Sequence, residues 1–80
     1  MFYEERIDKL CDAMAAKLLS IKGVVEVHVR REFQYVLYYI KYIDNSILPV
    51  SVMIELLKLD FEGTYSKLKE CIEGEHHVSI

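Results

Sequence analysis

The segment from residue 33 to residue 43 constrains the fold most, because it is apolar and aromatic on both alternating faces. Its many β-branched and aromatic side chains predict a β-strand. One face carries Val36, Tyr38, Ile40 and Tyr42, and the other carries Tyr35, Leu37, Tyr39, Lys41 and Ile43. A strand with one face on the core shows polar residues on the other. We therefore expect both faces to contact protein.

The second of these faces has three interpretations. Helices could cover the strand on both sides. Alternatively, the face could be a protein interface, because tyrosine buries a large ring and keeps a hydroxyl for water or a partner. A base-stacking surface is the third interpretation, and the acidic composition argues against it. The residues named as a candidate interface are Tyr35, Leu37, Tyr39 and Lys41.

The first forty residues predict a helix followed by a hairpin. A helix over residues 3–22 is indicated by one apolar stripe, formed by Ile7, Leu10, Cys11, Met14, Leu18 and Ile21. Lys22 and Gly23 are a typical helix end. Alternating valines predict a first strand over residues 24–30, and the turn before the second strand contains no Gly or Asn.

A long helix through the same region is the competing interpretation. Apolar residues at intervals of three and four also fit a helix, namely Val25, Val29, Phe33, Val36, Ile40, Ile43 and Ile47. The richness in Val and Tyr disfavours this helix, as does the helix end that precedes it.

The second half of the chain is less clear. Asp44–Ser46 predicts a loop, and Pro49 fits the first turn of a helix. A third strand over residues 50–59 is the alternative. Residues 61–64 suggest a break, and Thr64 or Ser66 could cap a last helix that ends at Gly74. Its apolar face would hold Tyr65, Leu68, Cys71 and Ile72, and residues 75–80 would form a tail or a short edge strand.

Together these elements predict one small α+β domain over residues 1–80, a helix, an antiparallel hairpin and further helices. The helix-to-strand passage from Leu18 to Val29 resembles a ferredoxin-like domain that lacks its first strand. With a third strand, the order resembles a double-stranded-RNA-binding domain, but residues 64–67 offer one lysine where such domains carry a basic cluster. Both are analogies of topology, which do not fix function.

Composition restricts the partners. Ten basic and thirteen acidic residues give a net charge of −3, whereas nucleic-acid-binding domains are usually basic. Arg30 and Arg31 form the one local basic cluster. No apolar run reaches the roughly 18 residues of a membrane span, and the N-terminus lacks the pattern of a secretory signal. We therefore expect a cytoplasmic protein without a membrane partner.

No motif indicates catalysis, a metal or a cofactor, so we expect none of these. Cys11 and Cys71 form no CxxC pair, and we expect two buried thiols or a disulfide between the first and last helices. Residues near the C-terminus supply metal-ligand types without a recognised spacing, namely Cys71, Glu73, Glu75, His76 and His77.

The sequence thus favours a non-catalytic protein-interaction module that forms a homodimer through its tyrosine-rich strand. One alternative is an accessory protein of viral or phage type that occludes the surface of a heterologous host protein. The other is a weak nucleic-acid-binding domain that uses the tyrosines with Arg30, Arg31 and Lys41.

Overall fold

Three helices and one three-stranded sheet make up the computed structural model, which describes the backbone of residues 2–78 and the side chains of residues 5–74. The elements in chain order are α1 (Phe2–Leu19), β1 (Val24–Arg31), β2 (Tyr35–Tyr42), β3 (Ile47–Met53), α2 (Ile54–Leu59) and α3 (Phe61–Val78). The predicted α+β class and the antiparallel hairpin are confirmed. The long helix through residues 25–47, which was the competing interpretation, is not formed.

The sheet is antiparallel with β2 in the centre. Residues directly opposite each other point to the same side of a sheet, so the register defines two faces. Tyr38 lies between Val29 and Val50, and the face that these residues share is called the covered face. Tyr39 lies between His28 and Pro49, and their face is called the open face.

Residues 47–53 form a strand, so the prediction that Pro49 lies in a helix is wrong. Burial alternates along β3, with Leu48, Val50 and Val52 less exposed than their neighbours. β3 is an edge strand, where a proline is tolerated because one side of the strand has no ladder hydrogen bonds to lose. Both alternatives for residues 50–59 hold in part, because the strand ends at Met53 and α2 begins at Ile54.

The predicted apolar stripe of α1 packs against the sheet. Met14 and Leu18 have no exposed surface, and Ile7, Cys11 and Ile21 are also buried. The helix ends at Leu19, three residues earlier than predicted. Gly23 follows in the turn with φ of 92°, a conformation that favours glycine.

Helix α3 is longer at both ends than predicted. It begins at Phe61, because Asp60 caps it: the backbone N–H of Gly63 donates to Asp60 Oδ1 at 3.0 Å. It continues through Gly74 to Val78, so the tail or edge strand predicted for residues 75–80 is wrong for residues 75–78. Residues 79 and 80 lie outside the described residues.

Two tyrosines of β2 join the sheet to the helices. The hydroxyl of Tyr38 donates to the backbone carbonyl of Cys11 in α1 at 2.8 Å, and the hydroxyl of Tyr42 donates to that of Ile72 in α3 at 2.7 Å. Both bonds are buried, which satisfies hydroxyls that would otherwise be costly in an apolar core. Since both tyrosines point to the covered face, α1 and α3 lie on the same side of the sheet.

Candidate protein interface on the open face of the sheet

The open face has no helix against it in the described part of the chain. Every buried residue of the sheet lies on the covered face: Val24, Val36, Tyr38, Ile40, Tyr42 and Val52. On the open face, the exposed fraction reaches 40% at Tyr35, 56% at Met53 and 59% at Ile47. In the described residues, helices therefore cover β2 on one side, and the interpretation that they cover both sides is wrong.

All four residues of the predicted interface lie on the open face. Tyr35, Leu37, Tyr39 and Lys41 form one row along the central strand, and the last three are half-buried. This places them together on one surface.

Strand β3 adds apolar residues that the sequence interpretation missed. Ile47 lies opposite Lys41, Pro49 lies opposite Tyr39, and Met53 lies opposite Tyr35. Their signal in the sequence was the alternation over residues 47–53, which the helical interpretation of Pro49 obscured. With these residues, the apolar part of the open face extends over two strands.

Strand β1 contributes a charged row to the same face. Glu26, His28 and Arg30 lie opposite Lys41, Tyr39 and Leu37 respectively. The row contains both signs of charge, with an acidic residue at one end and a basic residue at the other. The open face is therefore divided into a charged half on β1 and a largely apolar half on β2 and β3.

The charged groups already have partners within the chain. Lys41 Nζ lies 4.0 Å from Glu26 Oε1, and Arg30 Nε lies 2.7 Å from Glu32 Oε2. Two interactions raise the pKa of the Arg30 guanidinium above its ordinary value. The larger is a hydrogen bond with the Tyr39 side chain, and the next is the attraction to Glu32. Arg30 is thus a permanent positive charge beside the ring of Tyr39.

Two depressions adjoin this surface, and neither brings together a catalytic constellation. A shallow one of about 300 Å³ lies on the open face, between the Glu26–Lys41 pair, His28, Tyr39 and Ile47. A larger groove of about 610 Å³ lies at the hairpin end, where the charges are paired as Arg31 with Asp8 and Lys58 with Glu55. Among the side chains of residues 5–74, no three His, Cys, Asp or Glu residues form a metal-binding group.

The C-terminal metal-ligand types are only partly described. Cys71 and Glu73 are exposed on α3. The side chains of Glu75, His76 and His77 lie outside the described residues.

The two cysteines occupy different environments. Cys11 is buried in the core and Cys71 is exposed, and both are free thiols. Burial raises the pKa of the Cys11 thiol, which makes it a poor nucleophile because the thiolate is the reactive form. The pairing of Cys11 with Cys71 is thus absent, and Cys71 is not part of the core.

In the described range, no helix is both long and apolar enough to cross a membrane. Comparison with protein-family models, curated proteins and solved structures finds no match. The functional argument therefore depends on the geometry of the open face.

Proposed function

We propose that this chain is a non-catalytic protein-interaction domain that forms a homodimer through the open face of its sheet. One observation carries the proposal. In the described residues the sheet has helices on one side only, and the β2 and β3 half of its other side presents aromatic and apolar side chains where a solvated face would be polar. These residues are Tyr35, Leu37, Tyr39, Ile47, Pro49 and Met53.

Burial of this surface is favourable. Removing apolar area from water is favourable by about 25 cal/mol per Å² before the cost of association is subtracted, and tyrosine and methionine are enriched at interfaces. Contiguous exposed apolar patches on single chains mark interaction sites or aggregation hazards. The apolar half of the open face can be buried against another sheet, since two sheets pack face to face about 10 Å apart.

A second copy of the chain is the occupant that suits the distribution of charge. The β1 row carries Glu26 at one end and Arg30 at the other, so two copies of the row can meet with opposite charges paired. The β3 strands of the two copies then face each other, away from the charged rows. A partner of a single sign of charge would leave one end of the β1 row facing a like charge.

The small size of the face argues for a weak interface. Strands of seven or eight residues at about 3.3 Å each, spaced about 4.8 Å apart, give a face of roughly 25 Å by 14 Å. Two such faces cover roughly 700 Å² of projected area, below the ~1,600 Å² of a standard interface. We therefore expect a weak dimer whose population depends on the protein concentration.

Molar mass from light scattering, followed over a range of protein concentrations, tests the proposal. The wild-type chain should approach twice its 9.4 kDa as the concentration rises. Tyr39→Asp places a charge in the middle of the open face and should leave a folded monomer. Leu59→Asp is the matched control, because Leu59 is 78% exposed on α2 and away from the sheet, and it should dimerise like the wild type.

Three results would contradict the proposal: a wild-type monomer at every concentration, equal loss of dimer in both variants, or an unfolded Tyr39→Asp chain. Reductant is present throughout, so that a disulfide between exposed Cys71 residues is not counted as association.

The two other sequence-based hypotheses make different predictions for the same protein. Occlusion of a heterologous protein predicts a stable complex that Tyr39→Asp abolishes, while the wild-type chain alone stays monomeric. Nucleic-acid binding through Arg30, Arg31 and Lys41 predicts oligonucleotide affinity that falls steeply with salt.

A further inference from the structure

We infer that the two copies meet with their strands antiparallel, about a two-fold axis that follows the row of His28, Tyr39 and Pro49. This inference rests on the proposed homodimer. It adds which residues face each other and which pair of charges sets the orientation.

Symmetry leaves two limiting orientations. A two-fold axis that brings identical faces together lies between them, parallel to both sheets. If the axis runs along the strands, β1 of each copy faces β3 of the other, and the charged row meets the apolar row. If the axis runs across the strands, β1 faces β1 and β3 faces β3. Only the second orientation keeps the charged row of β1 on a charged row, so it avoids burying unpaired charges against the apolar residues of β3.

The register of the charged row then places the axis. Glu26 and Arg30 lie two residues to either side of His28 on β1. An axis over His28 brings Arg30 of each copy opposite Glu26 of the other, so the interface contains this pair twice. If the axis were moved by two residues along β1, like charges would face each other. Glu26 would then face Glu26, or Arg30 would face Arg30.

The same axis sets the contacts of the other two strands, and on β3 it places Ile47 opposite Ser51 of the other copy. The pairing of β1, β2 and β3 puts Tyr39 and Pro49 on the row of His28, so the two Tyr39 rings meet near the centre. Leu37 of one copy then lies opposite Lys41 of the other, whose hydrocarbon stem can pack on it. Lys41 lies 4.0 Å from Glu26 within its own chain, so each Glu26 would be shared between Lys41 and the second copy's Arg30.

Charge reversal in two separate chains tests this arrangement. In Arg30→Glu, both contacts become Glu against Glu, and in Glu26→Arg both become Arg against Arg. Each variant alone should dimerise at least about tenfold more weakly than the wild type, the effect of about 1.4 kcal/mol of repulsion. In an equimolar mixture, every contact is again between opposite charges, so a heterodimer should form with about wild-type affinity.

Two controls keep the result interpretable. Glu73→Arg makes the same charge change as Glu26→Arg, but at an exposed position of α3. This variant alone should dimerise like the wild type. It should not restore dimerisation when it is mixed with Arg30→Glu. Circular dichroism of each variant checks the fold. If Arg30→Glu does not fold beside Glu32, Arg30→Gln removes the charge without repulsion, and it should weaken the dimer by less than Glu26→Arg does.

The outcomes separate this inference from the proposed function. A wild-type dimer that Tyr39→Asp disrupts, with no heterodimer in the charge-reversal mixture, overturns the antiparallel register and leaves the open face as the interface. A wild-type monomer overturns both. The antiparallel register is supported if Arg30→Glu and Glu26→Arg form a heterodimer when mixed, while Arg30→Glu and Glu73→Arg do not.

Discussion

The hydroxyl of Tyr38 donates a buried hydrogen bond of 2.8 Å to the backbone carbonyl of Cys11, and so ties the central strand to α1. Tyr38→Phe removes the donor and keeps the ring. We expect a loss of about 1 kcal/mol in the free energy of unfolding, the ordinary net value of such a bond. Urea unfolding at low protein concentration measures it. Tyr39→Phe, on the open face, is the matched control and should change stability by less, and an equal loss in both variants would contradict this role.

Alkaline pH should destabilise the fold through the same pair of residues. Burial is the main cause that raises the pKa of the Tyr38 phenol above its ordinary 10.0, and burial likewise raises that of the Cys11 thiol above 9.0. Both groups are neutral acids in the folded chain. The stability that these groups contribute is therefore fully present at pH values below their pKa in the unfolded chain. It is lost as the pH rises towards their pKa in the folded chain.

The urea midpoint should accordingly fall between about pH 8 and about pH 11. In the double variant Tyr38→Phe with Cys11→Ala, most of this dependence should disappear, although the starting stability is lower. An unchanged slope in the double variant would show that other groups cause the alkaline loss.

Glycines 63 and 74 both lie within α3, and alanine should act differently at the two positions. A methyl group at Gly74 meets nothing within 4 Å, so Gly74→Ala should stabilise by about 0.5–1 kcal/mol. At Gly63, the added carbon collides with the Asp60 carboxylate that caps the helix. Loss of the cap costs about 1 kcal/mol, so Gly63→Ala should bring little or no gain. Thermal unfolding compares the two, and equal gains would argue against the Asp60 cap.

The two thiols should differ in accessibility. Cys71 is exposed and Cys11 is 2% exposed with a raised pKa. A thiol reagent at neutral pH should therefore modify one cysteine per native chain at once, and the second only on unfolding. Cys71→Ser should abolish the fast reaction. Fast modification of both thiols, or of neither, would contradict these placements.

The sequence was sufficient for α1, β1 and β2, because α1 and β1 have a clear apolar period and β2 is rich in β-branched and aromatic residues. The sequence led to wrong predictions where the local preference of a residue differs from what its position in the fold requires. Pro49 is favoured at a helix start, but an edge strand also accepts it, and only the tertiary arrangement shows that β3 is an edge. Gly74 is a common helix end, yet α3 continues through it to Val78.

The candidate interface was likewise only partly predictable from the sequence. The sequence predicted that the row of Tyr35, Leu37, Tyr39 and Lys41 shares one face of a strand, and the register agrees. It could not predict on which side the helices lie. That choice depends on which tyrosines reach the helix carbonyls, and Tyr38 and Tyr42 do so while Tyr39 does not. Nor could it add Ile47 and Met53, since their face depends on β3 being a strand.

Dilution of isotope-labelled protein, followed by NMR, tests most directly whether two copies meet on the open face. From the millimolar to the low-micromolar range, amide signals of β1, β2 and β3 should shift together with a single dissociation constant, while those of the solvent-facing side of α3 stay fixed. The same signals should be independent of concentration in Tyr39→Asp. Shifts confined to the helices, or no concentration dependence in the wild-type chain, would contradict the account.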